Sequence, residues 1–221
     1  MDNAHGGRQV ELFITLEGPD GSGKTTQARL LAEWLRKQGY DVVLTREPGG
    51  THIGDQIRAV LHDPRNAEMD ARTEILLYSA SRAQHVAQRI RPTLAAGKIV
   101  ISDRYADSTL AYQGYGRGLD LEILRAITAF ATGGLTPDLT LYLDVAPQEG
   151  LQRRRLGGEE WNRLDAEALE FHRRVRAGYM ELVRQEPERW AVIDGARSVE
   201  EVQAEIRALV QAKLDQAKRD G

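Results

Sequence analysis

Five short runs of apolar and β-branched residues stand out along the chain, and each is apolar at nearly every position. They cover residues 12–17, 41–46, 98–103, 139–145 and 190–194. A strand with one face in water alternates apolar and polar residues, whereas a strand of a parallel sheet covered on both faces does not. We therefore predict five buried parallel strands.

Longer stretches of helical period separate these runs. Between 168 and 186 the apolar residues recur every three or four positions, at Ala168, Phe171, Val175, Tyr179 and Leu182. Ser198 followed by Glu201 is a capping box that opens a last helix, from 199 to about 218, and Gly39 ends the first helix. Strands that alternate with helices predict an α/β fold.

Composition excludes several classes of protein. The 221 residues carry 30 Lys and Arg against 33 Asp and Glu, a net charge of -3, which indicates neither a nucleic-acid partner nor a disordered acidic chain. No linker or repeat divides the chain, so we predict a single domain over 11–218 after a flexible N-terminus, 1–10. With no cysteine, the chain has no disulfide, thiolate zinc site or cysteine nucleophile. The polar start and the lack of a long apolar run predict a cytoplasmic protein with no membrane partner.

A glycine-rich sequence follows the first predicted strand and runs into a helix. It fits G-x-x-x-x-G-K-[ST] with Gly18, Pro19, Asp20, Gly21, Ser22, Gly23, Lys24 and Thr25. In such a loop backbone N–H groups surround phosphate oxygens, the lysine reaches the β- and γ-phosphates, and the hydroxyl binds Mg²⁺. The sequence therefore predicts a site for a nucleotide and Mg²⁺.

Two further polar segments follow predicted strands. Asp103 and Arg104 end the third strand, and the glycine-rich loop 45–51 follows the second. Ligands of open α/β sheets bind at the carboxyl ends of strands, so we expect Asp103 near the metal and Arg104 near a second phosphate. The alternatives are a surface turn at Asp103 and a structural loop at 45–51. The arginine-rich segment 152–163 is either a lid over the nucleotide or a solvated loop.

The sequence lacks the Asn-Lys-x-Asp motif with which GTP switch proteins read guanine. Instead, segments 13–27, 45–51, 103–105, 108–114 and 137–144 together resemble bacterial thymidylate kinases. The resemblance implies a P-loop kinase fold, with helices on both faces of a five-stranded parallel sheet and a short lid at about 151–165. It also implies transfer of the γ-phosphoryl group of ATP to dTMP, giving dTDP and ADP, by a homodimer. A kinase for another nucleoside or nucleotide and a non-catalytic nucleotide-dependent switch remain alternatives.

The resemblance also assigns residues to the two substrates. It implies that Tyr78 stacks on the base, that Arg82 reaches the thymine edge and that Arg104 holds the phosphate of dTMP. The other residues implied for the acceptor are Glu47, Pro48, Arg58, Thr109, Tyr112 and Gln113. Asp20 is implied in catalysis, and Thr25 and Asp103 in metal binding.

Charge on the transferring group needs a further cation. Gly21 and Ser22 carry none, so the resemblance implies that the lid supplies it. The candidates are Arg153, Arg155 and Arg163, and the sequence leaves open which one acts. Many relatives have a third arginine where this chain has Gly157, and an aspartate where it has Asn162.

Overall fold

The computed structural model describes residues 8–156 and 163–220, and five strands lie within those ranges. They are β1 (Leu12–Glu17), β2 (Val42–Arg46), β3 (Ile99–Asp103), β4 (Leu139–Asp144) and β5 (Trp190–Asp194). Every pair is parallel and the order is β2-β3-β1-β4-β5. The predicted parallel sheet is confirmed, and each predicted strand end lies within one residue of the observed end.

Helices connect the strands throughout the described residues. They are α1 (Lys24–Lys37), α2 (His52–His62), α3 (Ala71–His85), α4 (Arg91–Ala95), α5 (Ala106–Thr109), α6 (Leu121–Thr132), α7 (Pro147–Leu156), α8 (Leu169–Gln185) and α9 (Val199–Asp220). A 3₁₀ turn covers Pro64–Asn66, and π-helical turns cover Val86–Ile90 and Leu110–Gly116. No helix in the described part of the chain is both long enough and apolar enough to cross a membrane.

Apolar residues cover both faces of the sheet, which explains why the strands do not alternate. Leu12, Ile14 and Leu16 of β1 pack in one core with α1 and α9. On the opposite face Phe13 packs in a second core with the π-helical turn at 86–90 and β3. Tyr142 of β4 belongs to a third core on this face, with α8. The helices thus lie on both sides, as predicted.

The predicted helix ends are confirmed. Glu201 N donates to Ser198 Oγ and Ser198 N donates to the Glu201 carboxylate, at 3.3 and 3.0 Å. This capping box opens α9, which runs two residues beyond the predicted end. Gly39, with φ of 85°, follows α1. The apolar stripe of α8 is buried from Phe171 to Leu182.

The structure describes only parts of the predicted N-terminus, 1–10, and of the arginine-rich segment, 152–163. Residues 8–10, predicted in the flexible N-terminus, are hydrogen-bonded to the domain through Arg8 N to Gly39 O and Val10 N to Gly97 O. Residues 1–7 lie outside the described part of the chain, as do 157–162, which include Gly157 and Asn162. Residues 152–156 belong to α7, so this part of the arginine-rich segment is a helix and not a loop.

Candidate active site

A cavity of about 840 Å³ opens at the carboxyl ends of the strands. The predicted site residues that line it are Asp20, Gly21, Gly23, Lys24, Thr25, Glu47, Pro48, Arg58, Tyr78, Arg82, Asp103, Arg104, Thr109, Tyr112 and Gln113. Gly18, Pro19 and Ser22 belong to the same loop without lining the cavity. Among the described residues, seven Lys or Arg side chains and four carboxylates line it. A chain with a net negative charge therefore has a cavity suited to anions.

The glycine-rich loop 18–25 approaches helix α7 closely. A Cβ on Gly21 would lie 2.0 Å from Gly150 O, and the φ of Gly21 is 75°, so both space and backbone geometry require glycine here. Gly23 caps α1 with no side-chain hydrogen bond. The first N–H groups of α1 therefore stay available to an anion in the cavity.

Lys24 lies at the start of α1, and its side chain folds back over the loop. Lys24 Nζ donates to Pro19 O at 2.7 Å and to Ser22 Oγ at 3.3 Å. Burial, followed by the nearby Arg104, lowers the pKa of Lys24 to about 8. A phosphate group in the cavity would favour the charged ammonium and compete for its hydrogen bonds.

Thr25 and Asp103 lie side by side although 78 positions separate them in the chain. Thr25 Oγ1 donates to Asp103 Oδ2 at 2.5 Å. A hydroxyl and a carboxylate are hard oxygen ligands of the kind that Mg²⁺ prefers. No cluster of three or more His, Asp or Glu residues that could hold a metal occurs within the described ranges. A cation at this pair would take its further oxygens from a ligand or from water.

Arg104 occupies a strained backbone position beside the loop. Its φ is 70°, in the left-handed region, and its N donates to Leu16 O at 2.9 Å. The guanidinium donates from Nη2 to Asp20 at 2.8 Å and to Tyr112 Oη at 3.0 Å. Burial opposes the charge of Asp20, but Arg104 and Lys24 outweigh it, and the pKa of Asp20 lies well below its usual value. Asp20 and Arg104 are therefore both charged.

Glu17, at the end of β1, supports Arg104 from behind. Ser108 Oγ and Tyr179 Oη donate to Glu17 Oε2 at 2.6 and 2.8 Å, and Arg104 Nη1 donates to the same two hydroxyl oxygens. Tyr105 N donates to Glu17 Oε1 at 2.7 Å. Burial raises the pKa of Glu17 to about 7. The sequence gives no local signal for this residue, since its partners come from two other elements.

A second group of polar residues lines the cavity beside Arg104. Arg82 is buried and donates from Nε to Glu47 at 2.7 Å and from Nη1 to Thr109 Oγ1 at 3.0 Å. Gln113 Nε2 donates to Glu74 at 2.7 Å. Tyr78 adds an aromatic ring to this wall. The wall thus combines a flat apolar surface with a few oriented polar groups, as binding sites for small molecules do.

The three lid arginines predicted from the sequence do not line the cavity. Arg153 donates to Gly195 O at 2.8 Å and to Glu149 at 2.6 Å. Arg163 is buried and donates to Glu74. Arg155 is also absent from the lining of the cavity in the described residues.

Arg154, which the sequence analysis did not select, lines the cavity. It pairs with Asp165 at 2.6 Å, and the two side chains are 12% and 0% exposed. A Cβ on Gly150 would lie 2.4 Å from Asp20 O, so this face of α7 packs on the loop 18–25. Arg154 follows Gly150 by one helical turn and shares that face. The four-residue spacing from Gly150 to Arg154 places Arg154 at the cavity only once the contact of Gly150 with the loop is known.

Comparisons with known proteins identify the family of the chain. The thymidylate kinase family model matches residues 16–206. A thymidylate kinase of Roseiflexus sp. (strain RS-1) is 55% identical, over 93% of this chain and 96% of that protein. One of Deinococcus radiodurans is 54% identical, over 90% and 96%. The crystal structure of thymidylate kinase from Ehrlichia chaffeensis matches with a TM-score of 0.76 at 35% identity, over 91% of this chain and 99% of that one. The predicted fold and family are confirmed: the chain belongs to the thymidylate kinase family of ATP-dependent nucleoside monophosphate kinases.

Proposed function

We propose that the protein transfers the γ-phosphoryl group of ATP to dTMP, giving ADP and dTDP, a step in the synthesis of dTTP. The observation that carries this proposal is that Lys24 and Arg104 line one cavity. Two polyanions must meet end to end in this reaction, and each needs its own cation. This shared cavity gives each phosphate group a cation and leaves room for the base of the acceptor.

The donor binds along the loop 18–25. Backbone N–H groups at the start of α1 and the Lys24 ammonium receive the phosphates of ATP. Thr25 and Asp103 fit the oxygen ligands that Mg²⁺ takes when nucleotide phosphates complete its shell. When bound there, the metal supplies positive charge to the phosphate oxygens, while the loop fixes their direction.

The acceptor binds at the wall formed by α3 and the π-helical turn at 110–116. Arg104 holds the phosphate, and Tyr78 stacks on the base. Arg82 and Gln113 face the base edge. Glu47, Pro48, Arg58, Thr109 and Tyr112 complete this part of the site, with Tyr112 on the sugar side. Arg58 Nη1 donates to Pro48 O at 3.1 Å, which links α2 to the loop after β2.

The chemistry needs positioning and charge more than a base. A phosphate monoester has its second pKa near ~6, so the attacking oxygen is largely ionised at neutral pH. Catalysis then rests on alignment and on cations around the transferring group. Asp20 helps by fixing the direction of Arg104. Charge from the lid completes the arrangement, and Arg154 supports this role through its place in the cavity, whereas Arg153, Arg155 and Arg163 remain predictions.

A homodimer is the assembly that this function implies, and exposed apolar residues on three helices support it. They are Ile53 and Val60 of α2, Leu76 of α3, and Ile123 and Phe130 of α6. Helix α3 contacts both α2 and α6. Phe130 is 89% exposed, and a partner subunit packed on it would remove this aromatic side chain from water. A reaction that consumes ATP is expected in the cytoplasm.

A coupled assay with a panel of nucleoside monophosphates tests the proposal. The expected result is that ADP forms with dTMP faster than with dUMP, dCMP, dGMP or AMP. ADP formation with another monophosphate at a higher rate would assign the enzyme to that acceptor. ATP binding without transfer to any acceptor would favour a nucleotide-dependent switch.

A further inference from the structure

Glu74 is a buried carboxylate on α3 that does not line the cavity. Its side chain is 0% exposed and lies between two arginines and an amide. Arg117 donates to it from Nε at 2.8 Å and from Nη2 at 3.0 Å, Arg163 donates to it, and Gln113 Nε2 donates to it at 2.7 Å. Burial would raise the pKa of Glu74, but Arg117, Gln113 and Arg163 together lower it. Glu74 is therefore ionised and acts only as an acceptor.

Glu74 fixes which way the amide of Gln113 points. The amide nitrogen faces the carboxylate, and the reversed amide would place two acceptors against each other. Gln113 Oε1 receives no hydrogen bond from the described residues. This oxygen is also not fully buried, so a ligand can reach it. Gln113 itself lines the cavity. The atom that the amide offers to a ligand is thus its carbonyl oxygen, an acceptor.

Arg82 offers hydrogen-bond donors near the acceptor oxygen of Gln113. Its Nε is held by Glu47, its Nη1 donates to Thr109 and its Nη2 donates to Tyr105 O. Each Nη carries two hydrogens, so one on each remains for a ligand. Thr109 precedes Gln113 by one helical turn, which brings the donor of Arg82 and the acceptor of Gln113 to the same wall. The wall therefore presents a donor beside an acceptor.

We propose that Glu74 is a positioning residue that determines base specificity, by holding Gln113 with its carbonyl oxygen toward the acceptor base. Thymine presents a carbonyl oxygen beside an N–H, which complements a donor beside an acceptor. Cytosine presents an amino group beside a bare ring nitrogen, the reverse pattern. The inference rests on the proposed function, which brings the base to this wall. Rejection of cytosine follows because a mismatched edge leaves buried polar groups unpaired.

Glu74→Gln tests the role of the carboxylate. The two arginines then compete for a single amide oxygen, which turns the amide nitrogen of the new side chain toward Gln113 and reverses the Gln113 amide. The expected result is a drop of at least about tenfold in the ratio of kcat/KM for dTMP over dCMP, with the KM for ATP unchanged. Calorimetric Kd values for the two monophosphates should change in the same sense. An unchanged ratio would overturn the inference.

Two matched variants separate positioning from general loosening of the fold. Gln113→Met keeps the size of the side chain and removes the amide, so it should lose the same preference, even if Glu74→Gln does not fold. Arg117→Gln removes another partner of Glu74 and should lower Tm while keeping the preference. The inference fails if Gln113→Met keeps the wild-type ratio, or if Arg117→Gln lowers the ratio as much as Glu74→Gln does. A wild-type enzyme that does not phosphorylate dTMP would instead contradict the proposed function.

Discussion

Replacement of Glu17 by glutamine should change how stability depends on pH. Burial and the nearby Asp107 raise the pKa of the Glu17 carboxyl from 4.5 to about 7, although Arg104 acts in the opposite direction. Between these two values the folded protein holds a proton on Glu17 that the unfolded chain releases. The stability that Glu17 contributes is therefore fully present below pH 4.5 and is lost as the pH rises through about 7.

The size of the change follows from the two pKa values. With 4.5 for the unfolded chain and about 7 for the folded protein, linkage gives a loss of about 2.5 kcal/mol between pH 5 and pH 8. Glutamine has nearly the same shape and does not titrate, so Glu17→Gln should lack this loss. Relative to the variant, the wild-type protein should become less stable as the pH rises.

Urea unfolding of both proteins at pH 5, 6, 7 and 8 measures this difference. Other titrating groups are common to the two chains and cancel in the comparison. Glu188→Gln, which removes a carboxyl from an exposed position, controls for the loss of one negative charge. A gap between wild type and Glu17→Gln that stays within about 0.5 kcal/mol over this range would refute the reasoning, because a surface-like carboxyl gives no such slope.

The remaining predictions concern transfer and assembly. Lys24→Ala should keep the fold and lower kcat by more than about tenfold, and a smaller loss, under about 1.4 kcal/mol, would contradict its role. Arg104→Ala should weaken dTMP binding much more than ATP binding in calorimetry; equal weakening would remove it from the acceptor site. Arg154→Ala should lower kcat on the order of 10³-fold with little change in dTMP affinity, and Arg153→Ala should lower it less; near-normal kcat for Arg154→Ala would exclude that side chain as the catalytic cation. Phe130→Glu should shift sedimentation toward monomer, and an unchanged value would place the interface elsewhere.

The sheet and the nucleotide loop could be predicted from the sequence because their signals are local. A strand buried on both faces has to be apolar at each position, so its ends are visible where polar residues begin, and the five predictions lie within one residue of the structure. The loop 18–25 is recognisable for the same reason, since glycine, lysine and threonine at fixed spacing follow from one backbone shape.

The side chains that orient the site could not be predicted, because their partners lie far away in the chain. Glu17 meets Tyr179 across 162 positions, and Arg163 meets Glu74 across 89. The sequence leaves the choice among neighbouring arginines open for a related reason. Arg153 and Arg154 are adjacent in sequence but point to different faces of α7, and only the contact of Gly150 with the loop decides which face meets the cavity.

Buried carboxylates hold three of the residues that line the cavity. Glu17 lies behind Arg104, Glu47 holds Arg82, and Glu74 holds the Gln113 amide, as the hydrogen bonds described above show. A buried carboxyl group is costly even when it is paired or hydrogen-bonded, and apolar residues of similar size often stabilise a fold as well or better. Stability alone therefore does not explain three of them around one cavity. Their common effect is to hold cavity-lining side chains in fixed orientations before a ligand arrives. The entropy lost in ordering those side chains is then a cost of folding, and binding of the acceptor does not have to overcome it.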